Sequence, residues 1–294
     1  MWIADNWKDY EILDTSDGEK LERWGKYILL RPDPQVIWKS DKKNKNWKSL
    51  NGHYHRSSKG GGEWEFFDLP NEWQISYCNG AKFNLKPFAF KHTGLFPEQA
   101  VNWDWFSSII KKEKEKNPDK PIKVLNLFAY TGGATIAASL AGAEVTHVDA
   151  SKGMVQWAKE NAEVSGLKDA KIRWLVDDCV KFVEREIRRG NKYDAIIMDP
   201  PSYGRGPKGE IWKIEESIYP FVELCEQILS EDAIFFLINS YTTGLQPAVL
   251  SYMINMAINK KHKGVVKADE IGIPVTETGL VLPCGASGRW MREN

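Results

Sequence analysis

Five apolar runs separated by helical stretches constrain this chain more than any other feature of its sequence. Lys123 to Phe128, Glu144 to Val148, Lys171 to Val176, Tyr193 to Met198 and Ala233 to Ile238 read as buried strands. Between them lie an Ala-rich helix over Gly133 to Ala141, a helix from about Ser151 to Ser165, one near Cys179 to Arg189 and one from about Ile211 to Leu229. In the second of these, Met154, Ala158 and Ala162 share a face, and Gly166 stands where a helix C-cap needs a left-handed residue. Repeated strand–helix units need right-handed crossovers, which make the sheet mostly parallel and cover both its faces. A ligand of such a sheet sits beyond the carboxyl ends of the strands.

Residues before this alternation have another texture, rich in Trp and Tyr and broken by Gly, Pro and Asn. Tyr27 to Leu30 reads as a strand ended by Arg31-Pro32, and Trp73 to Leu85 as a hairpin turning at Asn79-Gly80 in a type I′ turn. Pro97 opens a helix reaching about Lys112, with Phe106, Ile109 and Ile110 on its apolar side. The run KKEKEKNPDKP (Lys111 to Pro121) is a solvated helix end followed by a breaker. The expected division is a β-rich N-terminal domain over 1–96, for substrate recognition, a connecting helix and linker over 97–120, and a Rossmann-like domain over 121–294.

Composition excludes several classes. With 294 residues, 42% hydrophobic and 27% charged, the chain is neither disordered nor fibrous, and no period of repetition suggests a solenoid. Its apolar run Ala233 to Ile238 is far short of the ~20 residues of a membrane span, and MWIADNWKDYE lacks the pattern of a secretory signal. Cys78, Cys179, Cys225 and Cys284 lie far apart with no C-x-x-C pair. A soluble, reduced, cytoplasmic protein without membrane association is expected. Forty basic and forty acidic residues cancel, so any attraction to a polyanion must be local.

The strand ends carry the chemistry. After the first comes Phe128-Ala129-Tyr130-Thr131-Gly132-Gly133, whose glycines either let a ligand approach the backbone or serve a tight, well-packed turn. It is not the G-x-G-x-x-G of a dinucleotide site, which disfavours a nicotinamide oxidoreductase. The second strand ends at Asp149, which suits both hydroxyls of a ribose or the N-cap of the next helix. The third ends in Asp177-Asp178, one a helix cap and one able to accept an adenine amine. The fourth ends in Asp199-Pro200-Pro201-Ser202-Tyr203, where two prolines force an extended backbone with outward carbonyls. A carboxylate, a rigid carbonyl and an aromatic ring make a slot for a planar, hydrogen-bonding acceptor such as a nucleobase.

This layout resembles the class I S-adenosylmethionine-dependent methyltransferases, an α/β fold with a seven-stranded Rossmann-like sheet. VLNLFAYTGGATIAA, VTHVDASKGMVQWAKENAEVSGL, VDDCVKFVERE and IIMDPPSYGRGPKGE are similar to the bacterial ribosomal RNA large-subunit methyltransferase I-like family over about residues 85 to 245. FKHTGLFPEQ matches a family segment near the cofactor through Gln99, with Ala100 where the family has Arg. The resemblance implies that Phe128 and Gly132 flank the methionine and ribose part of the cofactor. It places Asp149 on the ribose, Asp178 at the adenine, and Asp199 with Pro200, Pro201 and Tyr203 at the methyl-transfer site. Gln99, Tyr130, Thr131, Ala150, Ser151, Asp177 and Asp199 complete the cofactor-binding set. S-adenosylmethionine is the implied cofactor and S-adenosylhomocysteine the product, with no metal.

Methylation of cytosine carbon 5 needs a cysteine nucleophile. Neither DPPSY nor the end of the fifth strand, Asn239-Ser240-Tyr241-Thr242-Thr243, contains one, and Thr242 stands at the approximate place of the family cysteine. Methyl transfer without a covalent enzyme–base intermediate is expected, to a nitrogen of an RNA base, with 23S ribosomal RNA as partner. Carbon and oxygen targets stay formally open. Residues 31 to 60 hold eight basic residues (Arg31, Lys39, Lys42, Lys43, Lys45, Lys48, Arg56, Lys59) against Asp33 and Asp41, a local balance of +6. Interleaved Trp38, Trp47, His53, Tyr54 and His55 suit phosphate contact with base stacking, or a solvated loop ending in Ser57 to Gly62. His53-x-His55 lacks a further ligand in sequence and reads as a pair of loop residues. The alternatives are a methyltransferase for a protein amide or small planar molecule, and a cofactor-binding scaffold without chemistry.

Overall fold

A computed structural model describes residues 1–57, 61–88, 91–206 and 209–293. The chain divides into two compact units, one of Ile3–Ala100 with Gly272–Pro283, the other of Met1–Trp2, Val101–Ile271 and Cys284–Asn294. The division falls at residue 100/101, and a late segment of the chain joins the first unit. The expected boundaries at 96 and 120 missed both features, because contacts made by distant segments are invisible to local composition.

After β1 (Trp2–Ile3), the first unit builds a five-stranded sheet of β2 (Tyr10–Ser16), β3 (Glu19–Trp24), β4 (Tyr27–Pro32), β5 (Gly52–Arg56) and β6 (Gly62–Phe66), in that order. The β4–β5 pairing is parallel, and the other three are antiparallel. Ile12, Leu21, Trp24 and Leu29 are fully buried. Among them sits a charge pair: Arg31 Nε and Nη2 donate to Glu22 at 2.6 and 2.7 Å, and the Tyr10 hydroxyl donates to the same carboxylate at 2.7 Å. Arg31 thus serves the core and is not a phosphate contact. The loop Ser57 to Gly62 lies partly, and Lys59 wholly, outside the described residues.

The hairpin of β7 (Trp73–Ser76) and β8 (Lys82–Leu85) forms as expected, but its turn does not. Tyr77 N–H donates to the Ala81 carbonyl at 2.8 Å, so three residues, Cys78-Asn79-Gly80, make the loop. Only Gly80 takes positive φ, at 94°, whereas a type I′ turn needs it at Asn79 as well. Asn79 spends its side chain instead on the Ala81 N–H, at 3.0 Å.

In the second unit α1 (Ala100–Lys116) precedes β9 (Lys123–Leu127), α2 (Gly133–Leu140), β10 (Glu144–Asp149), α3 (Lys152–Val164), β11 (Ile172–Val176), α4 (Cys179–Arg189) and β12 (Ala195–Met198). There follow β13 (Tyr203–Arg205), β14 (Ile211–Lys213), α5 (Ile214–Glu226), β15 (Phe235–Ser240), α6 (Pro247–Ile254), β16 (Gly264–Pro274) and β17 (Val281–Arg292). The large sheet runs β1-β16-β17-β15-β12-β9-β10-β11. Setting aside two-residue β1 at its edge, seven strands stand in the order sixth, seventh, fifth, fourth, first, second, third, with β17 antiparallel to β15. This is the expected Rossmann-like α/β sheet. Its central strands β12 and β15 are buried at every residue, which is why they read as unbroken apolar runs. At the edge, no residue of β11 is fully buried.

Two elements differ from expectation. The helix expected from Ile211 starts at Ile214, because Ile211–Lys213 pairs antiparallel with Tyr203–Arg205 in a small hairpin. And α1 is no linker: Phe106 stacks on Phe235 with ring centroids 5.8 Å apart, Trp105 meets the same ring edge-on at 5.5 Å, and both Phe106 and Ile110 are fully buried. Burying such side chains stabilises by ~1.5–3 kcal/mol each, enough to hold the helix against its sheet. Among the described residues no helix is long and apolar enough to cross a membrane.

Candidate cofactor and acceptor site

The chain leaves β9 for β10 and β11 on one side, then returns to β12 on the other, so the strand order reverses between β9 and β12. Ligands of open α/β sheets bind at such a switch, outside the carboxyl ends. The loop leaving β9 is strained there. Phe128 and Tyr130 take φ of 54° and 51°, values that cost bulky residues about 1–3 kcal/mol each. Side-chain and backbone contacts hold them: the Phe128 ring packs against Trp212 and Phe221 at 4.9 and 5.8 Å, its N–H points at Cys179 Sγ, and the Tyr130 N–H donates to Asp149 Oδ2 at 2.8 Å.

The glycine pair answers to packing. Gly132 has φ 85°, and a Cβ there would lie 2.9 Å from Ala158 Cβ; at Gly133 it would lie 2.7 Å from Trp103 Cζ2. Thr131 is buried, and its carbonyl accepts from Asn161 at 3.0 Å. The Gly132 N–H is bonded to the Ala129 carbonyl at 3.0 Å. The Tyr130 and Gly132 N–H groups are thus already occupied within the protein.

Asp149 ends β10 with each carboxylate oxygen accepting one backbone N–H, from Tyr130 and from Ser151, both at 2.8 Å. Burial pushes its carboxyl above the usual range, against the pull of these two donors. It is Ser151, not Asp149, that caps α3, accepting from Met154 N–H at 3.4 Å; Ala150 lies between them, half-buried. At the end of β11 the two acids divide their work. Asp178 caps α4 through Oδ1, accepting from Lys181 N–H at 2.9 Å, while its Oδ2 faces Gly206. Asp177 pairs with Arg185 and accepts from Asp178 N–H at 2.9 Å.

Beyond β12 the half-buried Asp199 leads into buried Pro200 and exposed Pro201. The Pro201 carbonyl is taken by the Trp212 indole N–H at 2.7 Å. Trp212 is the aromatic side chain packed under this corner, whereas Tyr203 stands on β13, 54% exposed. Sequence reasoning missed Trp212 because it read residues 211–229 as one helix; the alternation in Ile211-Trp212-Lys213 after a Gly-rich stretch was the available signal. It also missed Asn239 at the end of β15, whose amide donates to Asp199 Oδ1 at 3.0 Å. Ser202 and Thr242 hydroxyls meet at 2.6 Å, tying the two loops together. Cys179 and Cys225 are buried, and burial holds both thiols well above their usual range.

Gln99 belongs to the other unit, where it ends the 3-10 turn Pro97–Gln99. In that unit part of the +6 stretch meets acids from outside the window, Lys39 and Lys42 pairing with Asp17 and Arg31 with Glu22, while Lys43 pairs with Asp41 inside it. Trp38 and Trp47 donate to Thr15 and Asp14. Among the described residues Lys45, Lys48 and Arg56 make no ion pair. His53 and His55 lie on β5, not in a loop, and strand pairing brings Glu65 beside them, with ligand-type atoms within 4.8 Å of one another. Each Nε2 has its own carboxylate, His53 with Glu19 and His55 with Glu65, both at 2.8 Å, so two hydrogen-bonded pairs account for the cluster.

The ends of β10, β11 and β12 thus offer carboxylate acceptors. Such a set suits a ligand that presents hydroxyl and amine donors and no phosphate; it fits S-adenosylmethionine better than a dinucleotide. Comparison with known proteins agrees. The chain is similar to a structure of an S-adenosylmethionine-dependent methyltransferase from Agrobacterium tumefaciens, at 36% identity and a TM-score of 0.90, covering 97% of this chain and 91% of that one. A chain solved with S-adenosylhomocysteine shares the fold at a TM-score of 0.71 and 18% identity, over 97% of this chain and 76% of that one. The ribosomal RNA large subunit methyltransferase K/L of Shewanella frigidimarina is 34% identical over 159 residues, 53% of this chain and 21% of that protein. That of Pseudoalteromonas atlantica is also 34% identical over 159 residues, so the match spans about a fifth of these curated relatives. A family model described as S-adenosylmethionine-dependent methyltransferase matches residues 20–233, more than half of the chain, and the chain therefore belongs to the S-adenosylmethionine-dependent methyltransferase family.

Proposed function

We propose that this chain methylates a nitrogen of a base in large-subunit (23S) ribosomal RNA in the cytoplasm, without a covalent enzyme–base intermediate. The observation that carries the chemistry is the corner of Asp199 and Pro200 beside Asn239, together with buried, high-pKa thiols at Cys179 and Cys225. A buried protonated thiol is no nucleophile, so neither Cys179 nor Cys225 can start a route through an enzyme-bound cytosine. The RNA substrate is supported by the names of the K/L relatives.

Bound S-adenosylmethionine supplies a sulfonium methyl group, a carbon electrophile that an amine lone pair can displace from sulfur. Asp149 would hold the ribose hydroxyls and Asp178 Oδ2 the adenine amine, with Phe128, Tyr130, Thr131, Gly132, Ala150, Ser151 and Asp177 around the cofactor. The Asp199 carboxylate and Pro200 carbonyl would accept the acceptor amine's N–H bonds, which turns its lone pair toward the methyl group. Exposed Tyr203 offers a ring for the base, and stacking of this kind contributes ~1–3 kcal/mol. The work is positioning and exclusion of water rather than strong-base catalysis.

Mass spectrometry of ribosomal RNA nucleosides from cells with and without the gene tests the reading; one methylated nucleoside should vanish. Unchanged rRNA with labelled methyl appearing in protein or a small molecule would move the assignment to those acceptors. Replacing all four cysteines by Ser should leave turnover intact, and its selective loss would restore the covalent route.

A further inference from the structure

Asp199 does not end its hydrogen bonding at Asn239. The Asn239 carbonyl oxygen accepts from the Ser287 hydroxyl at 2.8 Å, and Ser287 Oγ in turn accepts from Asn102 Nδ2 at 3.0 Å. Asn102 Oδ1 then accepts twice from Arg289, from Nε at 3.1 Å and from Nη2 at 2.7 Å. Asn239, Ser287 and Asn102 are at most 1% exposed, and Arg289 is 7% exposed. Strand pairing aligns them, because Asn239 lies opposite Ser287 and Leu237 opposite Arg289 across β15 and β17, while α1 supplies Asn102.

The direction of every bond in this chain is dictated from its far end. A guanidinium only donates, so Asn102 must turn its oxygen to Arg289 and its amide N–H to Ser287. With its lone pair so used, Ser287 gives its proton to Asn239 Oδ1, which leaves the Asn239 amide nitrogen facing Asp199. An amide otherwise flips at little cost; here the flip would break two bonds and bury two unpaired groups. Arg289 is itself unusual. It makes no carboxylate ion pair among the described residues, and lies 3.6 Å over the Trp2 ring and 4.9 Å from that of Trp105. Burial pulls it down to about 9, which still keeps it charged at neutral pH. Its remaining donation goes to the Val101 carbonyl at 3.2 Å. Linked bonds of one sense polarise one another.

We propose that Arg289, Asn102, Ser287 and Asn239 form a one-way relay that positions the Asp199 carboxylate for the acceptor amine. The four are positioning residues, not catalytic ones, and the proposal rests on the reading that Asp199 meets the acceptor. The relay holds Asp199 Oδ1 from the protein side at 3.0 Å and so limits how the carboxylate can turn.

Two measurements test it. In protein labelled with 15N at the asparagine side chains, the Asn239 amide should exchange slowly with solvent in the wild type and rapidly in Ser287→Ala. Fast exchange in the wild type would overturn the relay whatever the activity. With large-subunit rRNA from gene-deleted cells and methyl-labelled S-adenosylmethionine, Ser287→Ala and Asn239→Asp should lower kcat ~10- to 100-fold, the kinetic equivalent of a hydrogen bond to a charged group. KM for S-adenosylmethionine should hold at its wild-type value. An unchanged kcat, or a loss that follows KM and melting temperature together, would mark the network as purely structural. Full turnover by Asp199→Asn, or none by the wild type on this RNA, would instead sink the underlying reading, and the exchange experiment would still decide the relay.

Discussion

Replacing Asp149 by Ala should damage two things that are measurable separately. The carboxylate accepts the Tyr130 and Ser151 N–H groups at 2.8 Å each, and the first bond helps hold Tyr130 at φ 51°. A hydrogen bond to a charged group contributes ~1.5–3 kcal/mol, and at a half-buried position water replaces part of that, so unfolding should become ~2–4 kcal/mol easier. Urea denaturation reads this directly. Loss of the ribose contacts should weaken S-adenosylhomocysteine binding by ~10- to 150-fold, which calorimetry measures. A collapsed loop could produce the same loss, so the decisive comparison uses an analogue lacking the ribose hydroxyls. The wild type should lose affinity for that analogue, and Asp149→Ala should lose no more. Additive losses from protein and ligand changes would refute the ribose contact and leave Asp149 as a fastener of the β9–α2 loop; unchanged stability would refute the loop geometry itself.

His147 is wholly buried, with Nδ1 at 2.9 Å from Thr135 Oγ1, and burial holds it down to about 3 against an ordinary value near 6.5. The unfolded chain therefore binds the extra proton between those values, so its contribution to stability is complete above pH 6.5 and falls as pH drops toward 3; from pH 7.5 to 5 the loss is about 2 kcal/mol. His147→Gln should be less sensitive to pH over that window by this amount, and an identical urea profile would refute the burial argument. Gly133→Ala should destabilise by ~1–3 kcal/mol, since the new Cβ would fall 2.7 Å from Trp103 Cζ2, whereas at Gly153 the nearest atom is Ser151 Oγ at 3.9 Å and Ala should stabilise by ~0.5–1 kcal/mol; equal melting temperatures would show that α1 yields. Charge reversal at Lys45 and Lys48 should reduce both RNA affinity and its salt slope, more than reversal at Lys42 and Lys43, which already face acids. A slope indifferent to the first pair would remove this surface from RNA binding.

Local pattern carried much of this protein. The apolar runs at β9, β10, β12 and β15 were legible because strands buried on both faces are mostly apolar, and the loops after them because chemistry at a parallel sheet collects at carboxyl ends. Helix caps were only partly legible. An acid before a helix can cap it or bind a ligand, and at Asp149 the neighbouring Ser151 took the cap, while at Asp178 the acid itself did. The charge sum over residues 31–60 counted only neighbours in sequence, whereas Asp17 and Glu22, which pair with Lys39, Lys42 and Arg31, come from the β2–β3 hairpin.

Sequence alone therefore determined the mostly parallel sheet and the acids at its strand ends, since those follow from period, length and residue type within a few neighbouring positions, whereas the strand order and its switch point came from the fold. Tertiary structure decided which partner each polar group takes. Asn239 was read only as part of a strand end without cysteine, and Arg289 and Asn102 lay outside every motif, until β17 came antiparallel beside β15 and α1 closed over both. A hydrogen bond depends on angstroms between atoms, and residues 102, 239 and 289 come within that reach only through the folded sheet.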